Sequence, residues 1–120
     1  MLVTLHGLSG GSHEGYLRCV LEPMAKQGWE SCVINSRGCA KSSITSGVLY
    51  NARATWDIRQ VVKWLRKTFP NRPLFGIGFS LGANILVNVS SVDNLGYLFP
   101  EKHLIRLYYS ILEKKGQTVY

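Results

Sequence analysis

A Gly-x-Ser-x-Gly pentapeptide, Gly78-Phe79-Ser80-Leu81-Gly82, stands between a short apolar run, Pro73 to Ile77, and a helix-like run, Ala83 to Val89. Few backbones turn from strand to helix in so few residues. The corner residue is driven into a strained conformation with its side chain exposed, and the positions two before and two after it leave no room for a Cβ atom. Glycines at 78 and 82 meet that demand. The following helix aims its first free N–H groups at the corner, so the amide of Leu81 is expected to stabilise negative charge developing on an oxygen beside Ser80. The segment reads as a nucleophile elbow with Ser80 as the nucleophile.

A second segment supports this reading independently. Leu2 to Leu5 is an apolar run of strand length, and His6-Gly7-Leu8-Ser9-Gly10-Gly11-Ser12 follows as a glycine-rich loop leading into a helical pattern. An oxyanion hole needs a second backbone N–H from another strand end, and the amide of Leu8 is the expected donor. His6, at the start of the loop, is expected to shape it by hydrogen bonding rather than to act as a base. A phosphate-binding loop is the rival reading. It fails because no Lys-Ser/Thr pair follows at the required spacing, and Gly76, Gly78 and Leu81 miss the third glycine of the dinucleotide fingerprint.

The rest of the chain alternates strand and helix. Glu14 to Gln27 reads as a helix with Leu17, Val20, Leu21 and Met24 on one face, interrupted by a kinking Pro23; His13 and Glu14 are expected to help start it. Ser31 to Asn35 is the next strand. Ala52 to Phe69 is the clearest helix, with Ala54, Ile58, Val61, Val62, Leu65 and Phe69 in one stripe, ended by Pro70-Asn71-Arg72-Pro73. The strands are apolar without clean alternation, as strands covered on both faces are. The fold class is therefore α/β, with three central parallel strands and flanking helices over residues 1–90. Residues 91–120 read as a separate tail: Pro100 opens an amphipathic helix carrying Leu104, Leu107, Tyr108, Ile111 and Leu112, closed by Lys114-Lys115-Gly116.

Three motifs in order carry a family resemblance: His6 to Glu14 (HGLSGGSHE), Asn35 to Ser42 (NSRGCAKS) and Gly78 to Asn84 (GFSLGAN). From Leu2 to about Asn88 the chain resembles the α/β-hydrolase branch that holds bacterial YheT-like hydrolases, animal abhydrolase-domain lipases and fungal medium-chain fatty acid ethyl ester synthase/esterases, with wording most similar to the fungal members. The resemblance implies a serine ester hydrolase or acyltransferase acting on fatty acyl esters. In that reading Ser80 is the nucleophile, the amides of Leu8 and Leu81 form the oxyanion hole, Gly78 and Gly82 are the elbow glycines, and no cofactor is used. After Asn88 the family wording stops. The strand Leu2 to Leu5 begins almost at Met1, so the chain is expected to be the front half of such an enzyme without the family's earlier strands, and its open sheet edges are expected to favour aggregation or chaperone binding.

A triad also needs an acid and a histidine. Asp93 and His103 follow Ser80 in the right order, but a helix over most of the interval would carry Asp93 roughly 15 to 20 Å away. The chain alone is therefore expected to be inactive. The alternative function is a noncatalytic hydrolase-like fragment that binds acyl chains or a protein partner, with a phosphate-binding module a distant third.

Charge and cysteines set further bounds. The 14 Lys and Arg against 7 Asp and Glu give a net charge of +7, spread over Arg53, Arg59, Lys63, Arg66 and Lys67 of the long helix and Lys102, Arg106, Lys114 and Lys115 of the tail. Basic residues flanking an apolar stripe are first a solvated face, and second a means of reaching anionic lipid; nucleic acid is not an expected partner. Asp57 is expected to pair with Arg53 or another nearby base. Cys19, Cys32 and Cys39 fall at no metal-ligand spacing and suggest reduced thiols inside the cell, either cytoplasmic or at a membrane surface. With no export signal, the Asn88-Val89-Ser90 glycosylation triplet is taken as chance.

Overall fold

The computed structural model describes residues 1–92. Its elements are β1 (Leu2–Leu5), α1 (Gly15–Lys26), β2 (Ser31–Ile34), α2 (Thr55–Thr68), β3 (Phe75–Gly78) and α3 (Leu81–Val92). The strands form one parallel sheet in the order β2-β1-β3. Leu5 stands level with Ile34 on one side and Gly78 on the other, so all three chains leave the sheet at the same edge. That edge is where open parallel sheets bind ligands. This architecture is a partial α/β-hydrolase fold.

The expected cover on both faces holds for the central strand β1, buried at every residue, and for most of β3, whereas β2 at the sheet edge starts with an exposed Ser31 and is otherwise half-buried. Val3 and Leu5 of β1 join Ile58, Val62 and Leu65 of α2 and Ile85, Leu86 and Val89 of α3 in one buried cluster. On the opposite face, Leu17 of α1 packs with Ile77 and Phe79, flanked by Val20, Leu21 and Val33. The stripe expected on α2 is thus the buried one, each fully buried aliphatic side chain contributing roughly 1.5–3 kcal/mol. Among the described residues the outer edges of β2 and β3 have no strand partner. No described helix is long and apolar enough to cross a membrane.

Element ends differ from the sequence expectations for identifiable reasons. α2 begins at Thr55 rather than Ala52 because Asn51 folds a turn ahead of it: its Oδ1 accepts the Arg53 N–H at 2.8 Å and its carbonyl accepts the Ala54 N–H at 2.9 Å. α1 runs through Pro23 instead of being interrupted there. The proline sits in the last turn, where the hydrogen bond it forfeits has little helix left to hold. Glu14 occupies the N-cap of α1 without a side-chain capping bond, so it does not start the helix in that way. β3 starts at Phe75, after Pro73, whose carbonyl accepts from the Met1 amino group at 2.8 Å. α3 begins at Leu81 and continues past Asn88 to Val92. The expected tail helix, with Asp93 and His103, lies outside the described residues.

Candidate active site

Only Phe79 and Ser80 separate β3 from α3, and the geometry of that turn is set by sterics. Ser80 has φ +50, the left-handed region that costs a residue with a Cβ about 1–2 kcal/mol, and its side chain is exposed. A Cβ on Gly78 would lie 2.6 Å from the backbone N and Cα of Ala83. A Cβ on Gly82 would lie 2.6 Å from the carbonyl oxygen of Leu5 and closer still to that of His6. These obstacles are backbone and have nowhere to go. The turn is closed by Gly82 N–H to Phe79 C=O at 2.8 Å and tied to β1 by Phe79 N–H to Leu5 C=O at 3.0 Å. Leu81 is the first residue of α3, where a helix amide has no partner within its own helix.

The His6–Gly11 loop borders this turn. A Cβ on Gly7 would lie 3.6 Å from the Cβ of Ser80, so the structure brings the two sequence motifs together. The loop is held by polar contacts from three directions. His6 is fully buried, and its Nε2 accepts the Ser36 N–H at 3.1 Å. That leaves Nδ1 as the protonated nitrogen, which donates to the Gly7 carbonyl at 2.6 Å. With both ring nitrogens engaged, His6 is a structural group rather than a base. The Gly7 N–H donates to the Tyr16 hydroxyl at 2.9 Å, and the Tyr16 ring packs 5.1 Å from that of Phe79. The Ser12 N–H donates to Asn35 Oδ1 at 2.8 Å while Asn35 Nδ2 donates to Ser12 Oγ at 3.2 Å. Leu8 sits at the crest, 71% exposed, and the bond closing the loop, Gly10 N–H to Gly7 C=O, spans it without using its amide.

Burial pushes the Tyr16 phenol up from its ordinary value, offset in part by the Gly7 N–H that its oxygen accepts. Tyr50, whose ring stands 5.6 Å from that of His6, is also pushed up by burial. Both remain protonated donors or acceptors at neutral pH. His13 is exposed at the far end of the loop, 3.6 Å from Glu14.

Of the partners expected for Asp57, Arg53 or another nearby base, the structure supplies the second, Arg37 of the β2–α2 loop. Arg37 meets it in a bidentate pair, Nε to Oδ2 and Nη2 to Oδ1, both at 2.7 Å, and reaches Ser46 Oγ at 2.8 Å. The loop after β2 folds over the first turn of α2. A cleft of about 320 Å³ opens there, lined by Ile34, Arg37, Tyr50, Asp57 and Val61. Ser80 is not in its wall, and its charges are spent on each other. Tyr16, Ser36, Tyr50 and the Asn35–Ser12 pair were not assigned roles from sequence. Within the Asn35 to Ser42 motif, Asn35 and Ser36 brace the neighbouring loop, while Arg37 turns to Asp57.

The sequence matches the alpha/beta hydrolase fold over residues 1–101. The chain belongs to that family. It is 53% identical over 89 residues to a monoacylglycerol lipase of Saccharomyces cerevisiae, covering 73% of this chain and 20% of that protein. It is 42% identical over 89 residues to medium-chain fatty acid ethyl ester synthase/esterase 2 of the same yeast, again 73% of this chain and 20% of the relative. A solved esterase of Pyrococcus furiosus superposes with a TM-score of 0.65 at 26% identity, covering 78% of this chain and 37% of the esterase. The chain thus spans about one fifth of the length of the yeast relatives.

Proposed function

We propose that this chain carries the nucleophile and the oxyanion donors of a serine hydrolase or acyltransferase acting on fatty acyl esters. The observation behind the reading is Ser80 itself, an exposed serine at φ +50 on a turn whose glycines admit no Cβ. A residue is kept in such strain only where its surroundings over-determine it, and these sites cluster at reactive centres. In this reading Ser80 Oγ attacks the ester carbonyl, and the amides of Leu81 and Leu8 stabilise the oxyanion. A general base takes the Ser80 hydroxyl proton as the new bond forms and passes it to the departing alcohol; water or a second alcohol, deprotonated by the same base, then takes the acyl group and Ser80 recovers its proton. The names of the yeast relatives support an acylglycerol or medium-chain acyl ester as substrate.

The base is the part that residues 1–92 do not supply. His6 has both nitrogens committed, and His13 stands exposed at the far end of the loop. The 120-residue chain alone is therefore expected to hydrolyse a medium-chain p-nitrophenyl ester near background, since losing triad function costs on the order of a millionfold. Robust turnover lost in both Ser80→Ala and His103→Ala overturns that expectation and makes His103 the base. The Ser80 assignment is tested by grafting residues 1–92 in place of the corresponding segment of the yeast monoacylglycerol lipase. Esterase activity abolished by Ser80→Ala supports the reading, whereas activity that survives it refutes the nucleophile. A folded, inactive graft that still binds acyl chains favours a noncatalytic binding role.

A further inference from the structure

α2 buries one face and leaves the opposite one with an unusual composition. At 100° per residue, Trp56, Gln60, Lys63, Trp64 and Lys67 fall within one arc opposite the buried Ile58, Val62 and Leu65, and all five are exposed. Trp56 and Trp64 keep 42% and 60% of their surface open. A single exposed apolar side chain is ordinary. Two indoles two turns apart on one helix face, about 12 Å along the axis, are only partly accounted for by folding, because each keeps a large part of its ring in water.

The charges on this face have one sign. Asp57 is the only acidic residue of α2; it lies to the side and is held in the bidentate pair with Arg37. Lys67 lies in the middle of the exposed arc and Lys63 at its edge beside Trp56, and Arg53 is exposed just ahead of the helix. Trp paired with Lys on the outer face of an amphipathic helix is the composition of helices that lie in a membrane interface, indoles at headgroup depth and ammonium groups reaching phosphate. A second copy of the chain fits poorly, since a two-fold contact would press lysines against lysines.

We infer that this face of α2 docks the protein on an anionic phospholipid surface, with Trp56 and Trp64 inserted at the interface and Lys63 and Lys67 on the headgroups. The inference stands on the residues of α2 and does not rest on the acyl ester reading. The full 120-residue chain, made by cell-free translation with vesicles present, is floated through a sucrose gradient. The vesicles are phosphatidylcholine alone or with about one third phosphatidylserine, a leaflet-like negative surface. The chain is expected to float with the anionic vesicles and to be released by salt. Lys63→Gln with Lys67→Gln lowers the bound fraction roughly 30-fold, and Trp56→Ala with Trp64→Ala at least about tenfold. Because these positions are exposed, far-UV circular dichroism should be unchanged. Brominated lipid should quench Trp56 and Trp64 fluorescence while sparing Trp29, whose ring packs 5.1 Å from that of Phe75. Lys114→Gln with Lys115→Gln is the charge-matched control. Equal loss in that control, flotation indifferent to both α2 pairs, no flotation, or an α2 variant that alters only self-association or capture by another protein overturns the inference.

Discussion

The β3–α3 turn and the β1–α1 loop lie side by side at one edge of the sheet but are held by different physics. Phe79 and Ser80 are shaped by exclusion: Gly78 and Gly82 sit where backbone atoms forbid a side chain, and Ser80 takes the strain. The His6–Glu14 loop is shaped by attachment, through Ser36, Tyr16 and Asn35, which come from the β2 end and from α1. A steric turn is written in the few residues that form it, whereas an attached loop depends on partners elsewhere in the chain. The first should fail abruptly when crowded, and the second should loosen one tie at a time.

The largest effect should therefore come from Gly82→Val. Its methyl groups meet the carbonyls of Leu5 and His6, which belong to the central strand and its exit. A loss of at least about 3 kcal/mol is expected, read by pulse proteolysis at low protein concentration. Native-like resistance in that variant would show that the turn has slack and remove the distinction. His6→Ala comes next. It leaves the Ser36 N–H without a partner, takes one of two donors from the Gly7 carbonyl, which still accepts from Gly10 N–H, and empties the space of a fully buried ring, for a loss of roughly 2–4 kcal/mol in the same assay.

Single ties of the loop should cost less. Asn35→Ala and Tyr16→Phe are each expected to remove about 1 kcal/mol, since the orphaned Ser12 and Gly7 amides lie near water. Hydrogen exchange should speed at Ser12 in the first and at Gly7 in the second, with Gly82 and Asn84 unaffected. Coupled exchange in both segments would mean that the loop and the turn open as one unit.

Strain in the turn itself is isolated by comparing Ser80→Gly with Ser80→Ala. Both lack the hydroxyl, and glycine alone accepts φ +50 freely, so the glycine variant should be more stable by about 1 kcal/mol. The smallest expected effect is one of pH. Tyr16 and Tyr50 ionise above their ordinary value of 10.0 in the folded chain because burial opposes the phenolate. In the unfolded chain they lose their protons first. Their contribution is thus complete below the ordinary value and declines as pH rises through it, a loss that Tyr16→Phe should reduce.

Much of the fold was legible because its signals are local. The stripe Ala54, Ile58, Val62, Leu65 is read at helical spacing and is the face that packs. Short runs at residues 2–5 and 75–77, apolar but for Thr4, announce strands covered on both sides. The ends of elements were less legible. Asn51 delays α2 through hydrogen bonds that composition does not announce, and Pro23 is tolerated because of where in its helix it falls.

What the sequence by itself determined is the strand-turn-helix around Ser80, since the constraint there is steric and its glycines lie within the same five residues. The juxtaposition of that turn with the His6 loop, the tautomer of His6, and the choice of Arg37 as the base that Asp57 meets were decided only by the tertiary structure. His6 and Ser36, Ser12 and Asn35, Arg37 and Asp57 are joined across the ends of different strands and helices. No local pattern encodes such contacts, because a hydrogen-bonding side chain offers the same donors and acceptors to every partner, and the packed sheet selects the one it meets.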